Sequence, residues 1–133
     1  LAYPQTYMND SGIAVGGLAA WHGVEDPARI IIVHDELDIE TGRLKLKEGG
    51  GLAGNNGLKS IKAHLHTNEF LRVRIGVGKP PGKQHGANHV LTKPGKAEAE
   101  LLGVTIEEAA DAVEHIVANG MAAAMNVYNS RSD

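Results

Sequence analysis

Cysteine is absent from the 133 residues, and with it go disulfides, thiolate nucleophiles and the common structural zinc sites. That composition fits a reducing compartment, and the expected location is cytoplasmic. Long apolar runs are missing too. The longest aliphatic stretch, Ile30 to Val33, is far too short to span a bilayer, and no charged segment followed by an apolar one opens the chain, so no membrane partner is expected. No internal repeat, low-complexity tract or linker interrupts the sequence, whose length suits one domain with one core. The chain starts at Leu1 and not at a methionine, and a preceding amino-terminal part is expected.

Charge is present but unevenly spread. Residues 42 to 83 hold nine Lys or Arg against two acids, a local +7 that leaves −10 to the rest of a chain whose total is −3. A mild overall charge with one concentrated basic segment suggests a docking surface for a polyanion. A solvated face explains the same distribution equally well.

The order of patterns is that of an α/β protein. Ser11 to Gly23 reads as a helix, with Asn9 or Ser11 able to cap its start and Gly23 its end. Arg29 to His34 reads as a strand buried on both faces, because Ile30, Ile31, Ile32 and Val33 are β-branched and continuous. From Gly42 a second strand alternates Leu44 and Leu46 with Arg43, Lys45 and Lys47. A short helix with Leu58, Ile61 and Leu65 follows, then a strand over Phe70 to Gly78 with Val73, Ile75 and Val77 opposite Arg72 and Arg74. Two strands thus each present a basic row. Lys79 to Asn88 has the composition of a loop. Thr105 and Glu108 form a T-x-x-E capping box before the stripe Ile106, Ala110, Val113 and Val117; Gly120 stops that helix, and Met121 to Tyr128 forms a last one.

Three places hold residues with usable chemistry. VHDELD, Val33 to Asp38, sits where a strand ends, the position at which open α/β sheets gather ligands. His34 and Asp35 are adjacent on an extended segment and point to opposite faces, so they form no dyad; Asp35 has the chemistry to orient an imidazole from elsewhere, or, with Glu36 and Asp38, is a solvated acid of a strand-end loop. In TYMNDSG, the Asn9 amide can hold a carbonyl or a water, or simply cap a helix. The run GGGLAGNNGLKS, residues 49 to 60, lacks the order of a P-loop and the acidic residue of a dinucleotide site, and it lies between a strand and a helix. Its glycines allow a close backbone approach that delivers Asn55 and Asn56 to a helix start. The histidines make no metal site: His64 and His66 diverge on a helix, and His85 and His89 lack carboxylate support. His22 and His115 read as helix-surface or partly buried residues.

PQTYMNDSG, VHDELD, the basic strand with GGG-x-x-G-x-NGLKSI, and FLRVRIGVGKPPG together resemble the bacterial-type peptidyl-tRNA hydrolases in order and spacing, from about Pro4 to Leu91. The resemblance implies a single α/β domain over 1–133, a twisted mixed sheet flanked by helices, and a monomer with no obligate protein partner. It implies cleavage of the ester joining a peptide or N-acylated amino acid to tRNA, with tRNA as the partner and no metal or cofactor. By the same resemblance Asn9, Asp35 and Asn56 are candidate catalytic groups: Asn9 as substrate-binding amide, Asp35 as the carboxylate supporting a histidine, Asn56 as the residue placing substrate and water. Tyr7 and Asn55 join them in substrate binding, and Lys47 and Arg74 grip the tRNA backbone.

Two departures stand out. The family's general-base histidine lies in an H-N pair after a G-N-P-G turn; neither motif occurs, and none of the seven histidines matches that position. Asn55 stands where the family usually has histidine. A non-catalytic RNA-binding relative and an inactive fragment are therefore the alternatives to the esterase.

Overall fold

The computed structural model describes residues 1–52, 54–79 and 95–131. The loop expected over Lys79 to Asn88 lies, from Pro80 onward, outside the described residues, as do His85 and His89. In chain order come a 3-10 turn at Met8–Asp10, α1 (Ser11–Trp21), a 3-10 turn at Pro27–Arg29, β1 (Ile31–Glu36), β2 (Leu44–Glu48), α2 (Asn56–Leu65), β3 (Leu71–Gly76), α3 (Lys96–Asn119) and α4 (Met121–Arg131). The chain divides into two compact units. The first comprises Leu1–Ile31 and Glu48–Leu71; the second comprises Ile32–Lys47 and the residues from Arg72 onward.

The first unit is built on α1 packed against α2. Their approach is close because glycine and serine meet at the crossing. The Gly12 N–H donates to Ser60 Oγ at 2.9 Å, and a Cβ on Gly12 would collide with the Ser60 carbonyl. α2 buries Gly57, Leu58 and Ile61 at helical spacing, while Leu65, the third apolar position expected there, is only half-buried in the last turn. α1 ends as expected: the Gly23 N–H bonds to Ala20 O at 3.2 Å and the Val24 N–H to Ala19 O at 2.8 Å, the paired closure of a helix carboxyl end. Its start differs from expectation. Neither Asn9 nor Ser11 caps it, because Asn9 is already inside the 3-10 turn closed by Asp10 N–H to Tyr7 O, and Ser11 Oγ donates backwards to Met8 O at 2.8 Å.

The second unit holds the sheet, apart from the terminal strand residues Ile31, Glu48 and Leu71. Strand order is β1-β3-β2. Leu71 N–H bonds to Ile30 O and Val77 N–H to Glu36 O, so β1 and β3 run parallel; Gly49 N–H bonds to Phe70 O and Gly76 N–H to Arg43 O, so β2 and β3 are antiparallel. The sheet is therefore mixed. β1 starts at Ile31, and none of its six residues is buried, with Val33 48% exposed. The expected burial on both faces does not occur because β1 has a neighbour on one side only among the described strands. β2 keeps its alternation, with Leu44 and Leu46 buried.

The carboxyl-terminal helices also correct the sequence reading. α3 starts at Lys96, with Gly95 at its cap position, so Thr105 and Glu108 form no capping box. The run Ala97 to Leu102 is rich in strong helix formers and carries the helix back nearly three turns. Thr105 is instead a buried mid-helix residue whose Oγ1 donates to Leu101 O at 2.9 Å. The buried stripe is Thr105, Ala109, Ala112 and Ile116, one residue ahead of the expected one; Ile106 and Val117 are exposed. Small side chains at 105, 109 and 112 admit closer packing than the bulkier neighbouring stripe. Gly120 does end α3, and α4 packs on it, with the His115 and Tyr128 rings edge to face at 5.9 Å. No described helix is long and apolar enough to cross a membrane.

Candidate functional site

In the first unit the glycine run is anchored, not free. Gly49 N–H reaches Phe70 O, Asn68 Nδ2 donates to Gly50 O at 2.9 Å, and Asn55 N–H donates to Leu52 O at 2.9 Å. The run ends where sequence placed its end, at the start of α2. Asn55 is the cap residue, its Oδ1 accepting from Leu58 N–H at 3.0 Å, which satisfies one of the helix's unpaired donors. Asn56 is the first helical residue and is exposed.

Gly57 is buried because the Met8 side chain lies against it; a Cβ there would sit 2.5 Å from Met8 Sδ. This contact lays the Met8–Asp10 turn on α2, so the turn bearing Asn9 meets the helix bearing Asn56. Both asparagine side chains are exposed and make no hydrogen bond among the described residues. Tyr7 precedes the turn and is 86% exposed. The group is uncharged and offers two amides, each able to donate and accept.

The second unit places the remaining candidates. The register sets Lys45 opposite Arg74 and Lys47 opposite Arg72, and the β1 alternation adds His34 and Glu36 to that same face. Asp35, the alternate residue, projects from the other face, alongside Val73 and Ile75 of β3. The separation of His34 and Asp35 side chains expected from the extended backbone is thus observed. Their link is local: the His34 ring Nδ1 lies 2.8 Å from the Asp35 main-chain oxygen.

The β3 row is not the solvated basic surface that alternation suggested. Arg72 is 1% exposed, and its Nε–H donates to His34 Nε2 at 3.2 Å. Arg74 is half-buried, and its Nε has no hydrogen-bond partner among the described residues. Among the described strands β3 lies between the other two, so its side chains are covered more than those of β2. Burial lowers both guanidinium pKa values; the neighbouring Arg74 charge adds to the effect on Arg72, and Glu36 opposes it for both. Burial likewise lowers the His34 pKa, with the Asp35 carbonyl opposing and the Arg72 charge adding.

Lys45 and Arg74 line a cavity of about 550 Å³ with Met125, Asn126, Asn129 and Ser130 of α4. Asn129 also closes the outer edge of β2. Its Oδ1 accepts from Leu46 N–H at 2.7 Å and its Nδ2 donates to Leu46 O at 3.0 Å, so one amide replaces a neighbouring strand. Lys47, next along the strand, is half-buried on the face it shares with Arg74.

A family model described as peptidyl-tRNA hydrolase matches residues 1–133. The chain belongs to the peptidyl-tRNA hydrolase family. It is 55% identical over 127 residues to the peptidyl-tRNA hydrolase of Cutibacterium acnes, covering 95% of this chain and 62% of that protein. It is 48% identical over 132 residues to that of Mycolicibacterium gilvum, covering 99% and 68%. The chain thus spans roughly two thirds of the length of these relatives. A crystal structure of peptidyl-tRNA hydrolase from Acinetobacter baumannii superposes with a TM-score of 0.83 at 40% identity, over 92% of this chain and 62% of that one. The peptidyl-tRNA hydrolase fold is therefore shared.

Two features of this family member escaped the sequence reading. The Arg72–His34 contact needed the β1–β3 register, which alternation alone does not supply. The Asn129 clamp on Leu46 joins residues 83 apart, and nothing in either segment signals the other.

Proposed function

We propose that the protein carrying this chain is a cytoplasmic, monomeric peptidyl-tRNA hydrolase, one domain that cleaves the ester between a peptide or N-acyl-aminoacyl group and tRNA without metal or cofactor. The observation that carries the reading is the family match across the whole chain, both compact units included. The presence of Asn9, Asp35 and Asn56 together supports it, since phosphate binding alone calls for basic groups and not for two amides and a carboxylate.

In this reading water attacks the ester carbonyl carbon, the bond to the ribose oxygen breaks, and that oxygen leaves with a proton. Exposed amides at Asn9 and Asn56 suit donation to the developing oxyanion and placement of the water. Asp35 orients and stabilises the imidazolium of a general base, whose position no histidine of this chain matches. Tyr7 and Asn55 border the substrate; Asn55 also serves its helix cap. Lys47 and Arg74, sharing one sheet face, grip tRNA phosphates with an affinity that falls as salt rises.

The test is hydrolysis of N-acetyl-aminoacyl-tRNA by the full-length protein, with ordinary aminoacyl-tRNA as the control. The N-acylated substrate is expected to be cleaved at least about tenfold faster, because discrimination rests on that group. Tight tRNA binding with no cleavage of either substrate would favour the RNA-binding relative instead.

A further inference from the structure

His34 is the one partly buried imidazole of the described sheet, and the mechanism above leaves it idle. Its two ring nitrogens are both engaged. Nε2 lies 3.2 Å from Arg72 Nε, a group that can only donate, so Nε2 carries the lone pair. Nδ1 lies 2.8 Å from the Asp35 carbonyl oxygen, which can only accept, so Nδ1 carries the proton. The two contacts fix one neutral tautomer. They also reach a backbone group that the described ladder to β3 does not use: that ladder takes the carbonyls of Ile30 and Glu36, and the Asp35 carbonyl belongs to the alternate set.

We infer that His34 is a positioning residue for hydrolysis, a neutral bridge from Arg72 on β3 to the main chain of Asp35 that holds the strand end at the angle Asp35 needs. This rests on the hydrolase reading of Asp35. The physical case is that β1 pairs with β3 alone among the described strands, and near its carboxyl end that one ladder leaves the Asp35 peptide free to rotate unless a side chain holds it. Arg72 is almost wholly enclosed on the central strand, so it is a fixed point. The imidazole is rigid and transmits that fixed position to the Asp35 peptide. A small rotation of that peptide would swing the carboxylate on the opposite face, and misplacement of about 1 Å can cost up to about 100-fold in rate.

Two substitutions separate the contacts. Asparagine carries its amide nitrogen where histidine has Nδ1, so His34→Asn keeps a donor for the Asp35 carbonyl and withdraws the acceptor from Arg72. Glutamine carries its amide oxygen where histidine has Nε2, so His34→Gln keeps the acceptor for Arg72 and gives up the bond to Asp35. Each is made in the full-length protein, and kcat, KM and tRNA affinity are measured with N-acetyl-aminoacyl-tRNA beside a thermal melt. The proposal expects His34→Gln to lose about tenfold more kcat than His34→Asn, with KM and tRNA affinity within about twofold of wild type. A merely structural role expects the reverse order, because withdrawing an acceptor from buried Arg72 harms folding more. Equal losses, the reverse order, or a loss carried by KM would overturn the proposal. Should His34→Asn fail to fold, a wild-type kcat in His34→Gln overturns it and a tenfold loss at unchanged KM supports it. An inactive wild-type protein sinks the hydrolase reading and this role together, whereas an active wild type with an equally active His34→Gln sinks this role alone.

Discussion

In the first unit the candidate side chains Tyr7, Asn9, Asn55 and Asn56 are uncharged, and what sets them in place is close packing around glycines and a helix cap: Gly12 against Ser60, Gly57 against the Met8 side chain, Asn55 capping its own helix. In the second unit Asp35, Lys47 and Arg74 are ionisable, and what sets them in place is strand register, with like charges brought opposite one another across β2 and β3. The first arrangement tolerates pH and salt but not added volume. The second responds to salt, since like charges facing one another across the strands are screened by ions.

The largest effect is expected where volume is forbidden. Gly12→Ala should destabilise the protein by about 3 kcal/mol or more, since backbone and not a flexible side chain blocks the new methyl. Gly17→Ala on the same helix meets nothing within 4 Å and should stabilise by about 0.5 to 1 kcal/mol. Denaturant midpoints that move together for the two variants would break the contrast.

Next come the separate roles proposed for the residues of the sheet. Asp35→Asn is expected to slow hydrolysis about 100-fold while leaving tRNA affinity in place. Lys47→Ala and Arg74→Ala are expected to weaken tRNA binding, about tenfold each, and to flatten its salt dependence while sparing kcat. Rate and affinity falling in parallel across all three variants would count against these roles.

A smaller effect sharpens the picture of Asn55. Asn55→Ala removes the acceptor for Leu58 N–H and should cost about 1 kcal/mol of stability. A melting temperature unchanged by the substitution would argue that the cap contributes nothing and that the position serves substrate alone.

The smallest effect is a pH dependence. Burial holds His34 below its ordinary value of 6.5, so the unfolded chain binds that proton more readily than the folded one. Stability from this group is therefore complete above pH 6.5 and is lost as pH falls from 6.5 through the folded value. His34→Gln should flatten this part of the stability profile between pH 7.5 and 5; identical profiles for the two proteins would show that His34 does not titrate as its burial dictates.

Much of the first unit was legible because its signals are local. Asn55 and Asn56 at a helix start, Gly23 at a helix end and the α2 spacing of Leu58 and Ile61 each depend on residues within a turn or two. Where local signals misled, a nearby competitor won. The 3-10 turn at Met8–Asp10 took Asn9 away from capping, and helix formers upstream of Thr105 carried α3 past its apparent start. The α3 stripe was misjudged by one residue because apolarity alone does not say which of two adjacent faces packs more closely.

The amino-acid order by itself determined most of the element types, the motifs that mark the family, and the opposite facing of His34 and Asp35, since each follows from local pattern or from backbone period. Only the tertiary structure decided that β3 is central and Arg72 buried, that Lys47 and Arg74 share one face, that His34 joins Arg72 to Asp35, and that Asn129 closes the edge at Leu46. These depend on which strands and helices become neighbours across dozens of residues, a choice made by the packing of whole elements and written in no single segment.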